Sequence, residues 1–207
     1  MTVLENLATS LKRKDEAPNI ELAQKITAAN DKKAVKELID NLQNKNKGIQ
    51  NDCIKVLYET AALKPSLIAG YADVFIKMLE DKSNRLQWGA MTALDMITNE
   101  NPKAVYTALP KIMASAEKGS VITNDHCVAI LIKLCAAKQY ATDAFVLLIE
   151  KLKTCPTNQL PMYAENALPV INDKNKQAFI TTLTSRLGDI EKETKKNRVE
   201  KVIKKLK

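Results

Sequence analysis

Apolar positions recur along this chain with a period of 37 residues. Ile49, Leu86, Thr123 and Leu160 share one register. Four residues later come Cys53, Ala90, Cys127 and Ala164, and at offset 7 come Val56, Ala93, Ile130 and Ala167. Leu57, Leu94, Leu131 and Leu168 follow at offset 8, and Thr60, Ile97, Leu134 and Ile171 close the row at offset 11. Offsets 0, 4, 7, 8 and 11 trace one stripe of an α-helix. Small residues at offsets 4 and 7 let neighbouring helices approach closely. The segments between carry a second register of Val35, Ala72, Leu109, Val146 and Leu183, with Leu38, Phe75, Ile112 and Ile149 three residues on. Arg186 breaks that last row.

Each period therefore predicts two helices. They fall near 17–29, 32–44, 48–63, 65–80, 84–99, 102–117, 121–137, 140–153, 158–171 and 174–188, with a further helix in the tail. The segments 44–48, 81–84, 118–120 and 154–158 carry turn residues. Pro65 and Pro102 stand at first-turn positions, where a missing N–H costs little. One helix pair cannot bury its own stripe, whereas stacked copies bury one another's. The expected fold is an all-α superhelix, a solenoid of antiparallel helix pairs with about five repeats of 37 residues. Residues 1–31 are expected to form N-terminal capping helices, 32–188 the repeats, and 189–207 a basic amphipathic C-terminal helix.

The stretch from Leu79 to Leu94 resembles a HEAT repeat. In that pattern an Asp closes the first helix, an apolar and a basic residue open the second, and an Ala-x-x-Ala-Leu stripe follows. Here these are Asp81, Leu86, Ala90, Ala93 and Leu94. Gln87 stands where that family usually has Arg, with Arg85 nearby, and Pro110 is similar to the proline kink of many HEAT first helices. The resemblance, to the HEAT/armadillo-like helical repeats, covers about residues 30–188. It implies a fold, and fold does not fix function.

Composition narrows the class. Aromatic residues make up 4% of the 207 and only five glycines occur, which argues against a turn-rich β protein. No run approaches the roughly 18 apolar residues of a membrane span, and the first residues lack the basic-then-apolar order of a secretory signal. Cys53, Cys127, Cys135 and Cys155 form no Cys-x-x-Cys pair and His126 is the single histidine, so neither metal nor cofactor is expected. Reduced core thiols fit a cytoplasmic location. The net charge of +8 sits mostly at the ends: residues 189–207 hold eight basic and four acidic side chains, and the long stretch 15–188 holds 21 and 19.

Phosphate-cradling and nucleophile-elbow motifs are absent. Asp125, His126 and Cys127 invite a Cys–His nucleophile, but adjacent helical residues diverge by about 100° and do not face one another. HEAT-like folds include the alkylpurine DNA glycosylases, whose clefts, as the resemblance implies, use aromatic rings, a carboxylate and basic groups. Trp88 and Asp95 lie on one predicted face, but no second tryptophan exists to sandwich an extruded base. The chain reads as a non-enzymatic interaction scaffold.

The docking face follows from geometry and from the resemblance, which implies that second helices line the concave side. Offsets 2, 6 and 9 point away from the core stripe. They hold Asn51, Trp88, Asp125 and Met162; Lys55, Thr92 and Asn166; and Tyr58 and Asp95. These nine are the candidate protein-binding residues. Trp88 has two readings, an interaction hot spot or a ring packed between helices. The partner is expected to be a protein or peptide and the chain itself monomeric. The alternative is a nucleic-acid-binding module, or less so a glycosylase, with weak nucleic-acid binding through the basic ends. In the tail, Val199, Val202, Ile203 and Leu206 follow helical spacing, suiting either a cap on the last repeat or a partner-binding helix.

Overall fold

The computed structural model describes residues 2–207, which form helices and turns and, among the described residues, no strand. The chain divides into two units, Met1–Cys127 and Val128–Lys207.

In the first unit a 3-10 turn at Val3–Asn6 precedes α1 (Ala17–Ala29), α2 (Lys32–Asp40), α3 (Lys47–Leu63), α4 (Ala72–Met78), α5 (Asn84–Ile97), α6 (Pro102–Thr107) and α7 (Leu109–Lys118). α8 (Val121–Ala136) begins in it. Helix starts are set by short polar side chains that satisfy orphan N–H groups. Asp31 accepts from Lys33 and Ala34, Asn46 from Gly48, and Asn101 from Ala104. α3 is the hub: it packs against α1, α2 and α5, while α4 covers α5.

The 37-residue stripe is the core. Cys53, Val56, Leu57 and Thr60 on α3 are fully buried, as are Ala90, Ala93, Leu94 and Ile97 on α5. Cys127, Ile130, Leu131 and Leu134 on α8 repeat the pattern. Gly89 supplies the closest approach. A Cβ there would lie 2.5 Å from Cγ1 of Ile54, which is itself fully buried on α3.

Two expected helices are broken. Pro110 lacks an N–H and its ring would press on the carbonyl four residues earlier, so the segment read as 102–117 splits at Ala108 into α6 and α7. The segment read as 65–80 opens with 3-10 turns at Pro65–Leu67 and Ala69–Tyr71 before α4 begins. Gln87, at the position where the HEAT resemblance would have Arg, donates to the carbonyl of Asp81 at 2.5 Å and ties α5 back to its preceding turn.

The second unit holds the remainder of α8, then α9 (Ala141–Thr154), α10 (Leu160–Ala167), α11 (Lys176–Arg186) and α12 (Glu193–Leu206). Here the first-helix register fails along α9, where Ile149 is only partly buried. Val146 is 53% exposed, and Ala144, Leu148 and Leu152 are fully buried in its stead. Arg186, which broke its apolar row, is a helix cap. Its guanidinium donates to the carbonyls of Leu152, Lys153 and Cys155 at 2.7, 2.7 and 3.0 Å, satisfying the C-terminal end of α9. α12 packs on α10 and α11 and buries Val199, Val202 and Ile203, with Arg198 holding Glu165 at 2.8 Å.

The contact at Gly89 yields a prediction. Ala in a helix interior is favoured over Gly by about 1 kcal/mol, whereas overpacking a filled core costs about 1–3 kcal/mol. Ile54 is fully buried and must shift to admit a methyl group, so Gly89→Ala should lower stability in urea denaturation by about 1 kcal/mol or more. A gain in stability would show that α3 and α5 are less tightly apposed than described.

Candidate functional site

The candidate face of the first unit is built on α3 and α5. Trp88, one turn into α5, is half-buried. Its ring lies 5.7 Å from that of Tyr58 with the planes tilted by 48°, a favourable offset aromatic contact. Arg85, three residues earlier on the same helix, places its guanidinium 4.5 Å from the Trp88 ring centre. Lys55 sits 5.0 Å over the Tyr58 ring. Two cations and two aromatic rings thus form one continuous cluster.

A third element closes over it. Glu16 stands at the N-terminal boundary of α1 and extends its carboxylate to both cations, bonding Arg85 and reaching Lys55 at 3.0 Å. Lys55 also donates to Glu59 at 2.8 Å. Partial burial works against the charge of Glu16, but hydrogen bonds from Arg85 and Lys55 outweigh it and hold the carboxyl below its ordinary value of 4.5. Burial likewise works against the Lys55 ammonium, and hydrogen bonds to Glu59, Glu16 and Tyr58 outweigh it in favour of the charged form. For Tyr58 burial prevails and raises the phenol above its ordinary range.

The nine candidate residues divide. Asn51, Trp88 and Asp125 are half-buried on the face, and in the second unit Met162 is half-buried and Asn166 exposed on α10. Lys55, Tyr58, Thr92 and Asp95 are buried. Thr92 turns its hydroxyl back to the carbonyl of Trp88 at 2.8 Å. Asp95, 3% exposed, meets Nδ1 of His126 at 2.8 Å and so links α5 to α8. The geometry places Trp88 between the two readings: its ring is partly buried, in contact with Tyr58 and Arg85. Arg85, Glu16 and Glu59 complete the cluster and were missing from the sequence-derived set. The i, i+3 spacing of Arg85 and Trp88 was legible on a helix. Nothing local marks Glu16, which arrives from 69 residues away.

The Cys–His idea meets a plain obstacle. Cys127 is fully buried with its thiol 3.7 Å from the sulfur of Met113, while His126 points at Asp95. Burial pushes the Cys53 and Cys135 thiols up to about 12, opposite to what a nucleophile needs. Among the described residues no helix is long and apolar enough to cross a membrane.

No protein-family model matches the chain, and neither does any curated protein. Solved structures do match. A designed armadillo repeat protein in complex with the peptide (KR)4 superposes with a TM-score of 0.67 at 18% identity, over 90% of this chain and 86% of that one. A computationally designed armadillo repeat protein for modular peptide recognition gives 0.66 at 17% identity, over 90% and 86%. An engineered protein gives 0.63 at 18% identity, over 100% and 98%. The fold is therefore an armadillo/HEAT-like helical repeat, as the resemblance of Leu79–Leu94 implied, built of the stacked helices that the 37-residue register predicted.

The Glu16 bridge predicts a pH response. A carboxyl held below its ordinary value contributes stability above 4.5 and loses it as pH falls through the lower folded value. Trp88 is the only tryptophan, so its fluorescence reports on the Arg85 side chain stacked beside it. Emission should stay level down to pH 4.5 and change below it, and Glu16→Gln should remove the step. A step well above 4.5 in the wild-type chain would contradict the bridge.

Proposed function

We propose that this chain is a non-catalytic scaffold that holds a protein or peptide segment on the concave face lined by its second helices, with Trp88 as the anchor. The observation that carries the reading is the partly exposed ring of Trp88, braced by Tyr58 and Arg85 on a helix whose stripe is committed to the core. A half-buried aromatic ring, rigidly backed and rimmed by charge, is the usual make-up of an interface hot spot. The fold supports it too, since two solved structures with this fold are described as peptide-recognising designs. Of the remaining candidates, Asn51 and Asp125 hold the offset of Trp88 on their own helices, and Met162 and Asn166 lie on α10. Residues 1–31 and 189–207 are read as caps on the repeats, which suits the packing of α1 on α3 and of α12 on α10 and α11. A cytoplasmic, monomeric protein remains part of this proposal.

Selection from a displayed library of unstructured peptides tests it. The wild-type chain should enrich peptides that lose at least tenfold in affinity for Trp88→Ala, consistent with a hot-spot loss of about 2 kcal/mol. Circular dichroism of the variant should remain helical. Enriched peptides that are indifferent to Trp88→Ala, or none at all, would overturn the reading.

A second reading, weak nucleic-acid binding, rests on α12. Its apolar stripe is buried, leaving Lys201, Lys204 and Lys205 exposed on the other side. Deleting the helix would strip the core of the second unit, so charge removal is the cleaner test. Replacing these three lysines by Gln should flatten the log–log salt dependence of single-stranded RNA binding by about 2, since each phosphate contact contributes roughly 0.7. An unchanged slope would place any such binding elsewhere.

A further inference from the structure

Glu16 breaks a local rule. It occupies the N-cap position of α1, where Ser, Thr, Asp or Asn would bond the first N–H groups, and its side chain caps nothing there. Its carboxylate is spent at long range instead, on Lys55 of α3 and Arg85 of α5. Departures of this kind, where a local preference is given up for a distant contact, tend to mark function.

The two cations are not equivalent. Lys55 is 8% exposed and has a second carboxylate partner, Glu59, at 2.8 Å. Arg85 is more open and has its ion pair with Glu16. Its guanidinium is already aligned by the Trp88 ring, so freeing it would leave a pre-positioned fork of donors against an aromatic wall. Such a fork matches a carboxylate in two-point geometry. The acidic groups on α3 and α5 are engaged by internal donors. Asp52 accepts from the Thr9 N–H at 2.7 Å and from Asn19 at 2.8 Å, Asp95 meets His126, and Glu59 holds Lys55. A basic ligand would have to break these contacts, whereas an acidic one needs only to exchange with Glu16, whose side chain is 45% exposed and within reach of solvent.

We propose that Arg85, Lys55, Trp88 and Tyr58 form a carboxylate-receiving site for an acidic peptide, and that Glu16 is the intramolecular stand-in a partner's Glu or Asp displaces. This rests on the peptide-binding reading above and gives its ligand a chemistry. The ring of Trp88 packs along the aliphatic part of the incoming residue while its carboxylate takes the place of Glu16. Removing the stand-in therefore raises affinity, and removing Arg85 as well cancels the gain.

The test titrates the full chain with blocked octapeptides that alternate Ala with Glu, Gln or Lys, reading Trp88 fluorescence. Glu16→Gln should bind the Glu peptide about tenfold more tightly than wild type, the scale of one charge-assisted pair. The gain should vanish in Glu16→Gln with Arg85→Gln and be absent for the Gln and Lys peptides. Melting curves of both variants check that the fold persists. No gain for Glu16→Gln, a gain that favours the Lys peptide, or a gain that survives loss of Arg85 would overturn the proposal. Library peptides that depend on Trp88 yet prove basic would also overturn it while leaving the peptide-binding reading intact. Library peptides indifferent to Trp88 would sink that reading instead.

Discussion

The close approach of α3 and α5 governs the first unit. Gly89 lies against Ile54 with no room for a methyl group, and Ala90 and Ala93 on the same helix are fully buried. Small residues let the two backbones come near enough for a whole stripe to be removed from water, and hydrophobic burial is the main term available to a helix too short to be stable alone. Once that stripe is committed to the core, rotation by the helical repeat leaves no choice about what the opposite side presents. Tyr58 and Trp88, nine and two residues from the start of their stripes, meet there because the helices that carry them cannot rotate.

Electrostatics then decides how open that face is. Polar groups taken from water need partners, and the N-terminal segment supplies them. Asn19, 1% exposed, accepts from the Ala8 N–H at 3.0 Å and donates to Asp52, so the entry to α1 is pinned to α3 by a buried polar network. That docking delivers Glu16 to Lys55 and Arg85. Glu16 and Arg85 are open enough for their pair to add little stability, since such pairs contribute about 0–1 kcal/mol. Their effect is on geometry: they set two cations over two aromatic rings.

Periodicity made the architecture legible because helices report their buried face through spacing alone. The stripe from Ile49 to Thr60, and its copies at Leu86–Ile97 and Thr123–Leu134, turned out buried as the register required. It was blind where contrast is lacking. The run Ala144–Ile149 is apolar almost throughout, so spacing favoured Val146 while packing selected Ala144 and Leu148. Arg186 looked like an error in an apolar row because its role, capping α9 from 31 to 34 residues away, has no local signature. The same limit explains the site. Offsets identified Lys55, Tyr58, Trp88 and Asp95 as a face, but what covers a face is set by chain that lies far off in sequence. Glu16 and His126 therefore changed Lys55 and Asp95 from surface groups into buried, paired ones.

The central claim is that the second helices of the first unit, with their stripe locked in the core, hold a peptide on the opposite face. Hydrogen–deuterium exchange of the chain with and without a library-selected peptide measures this directly. The account predicts added protection confined to α3, α5 and the start of α1, with α4, α6 and α7 unchanged. Protection centred on α4, α6 and α7, with α3 and α5 indifferent to peptide, would contradict it.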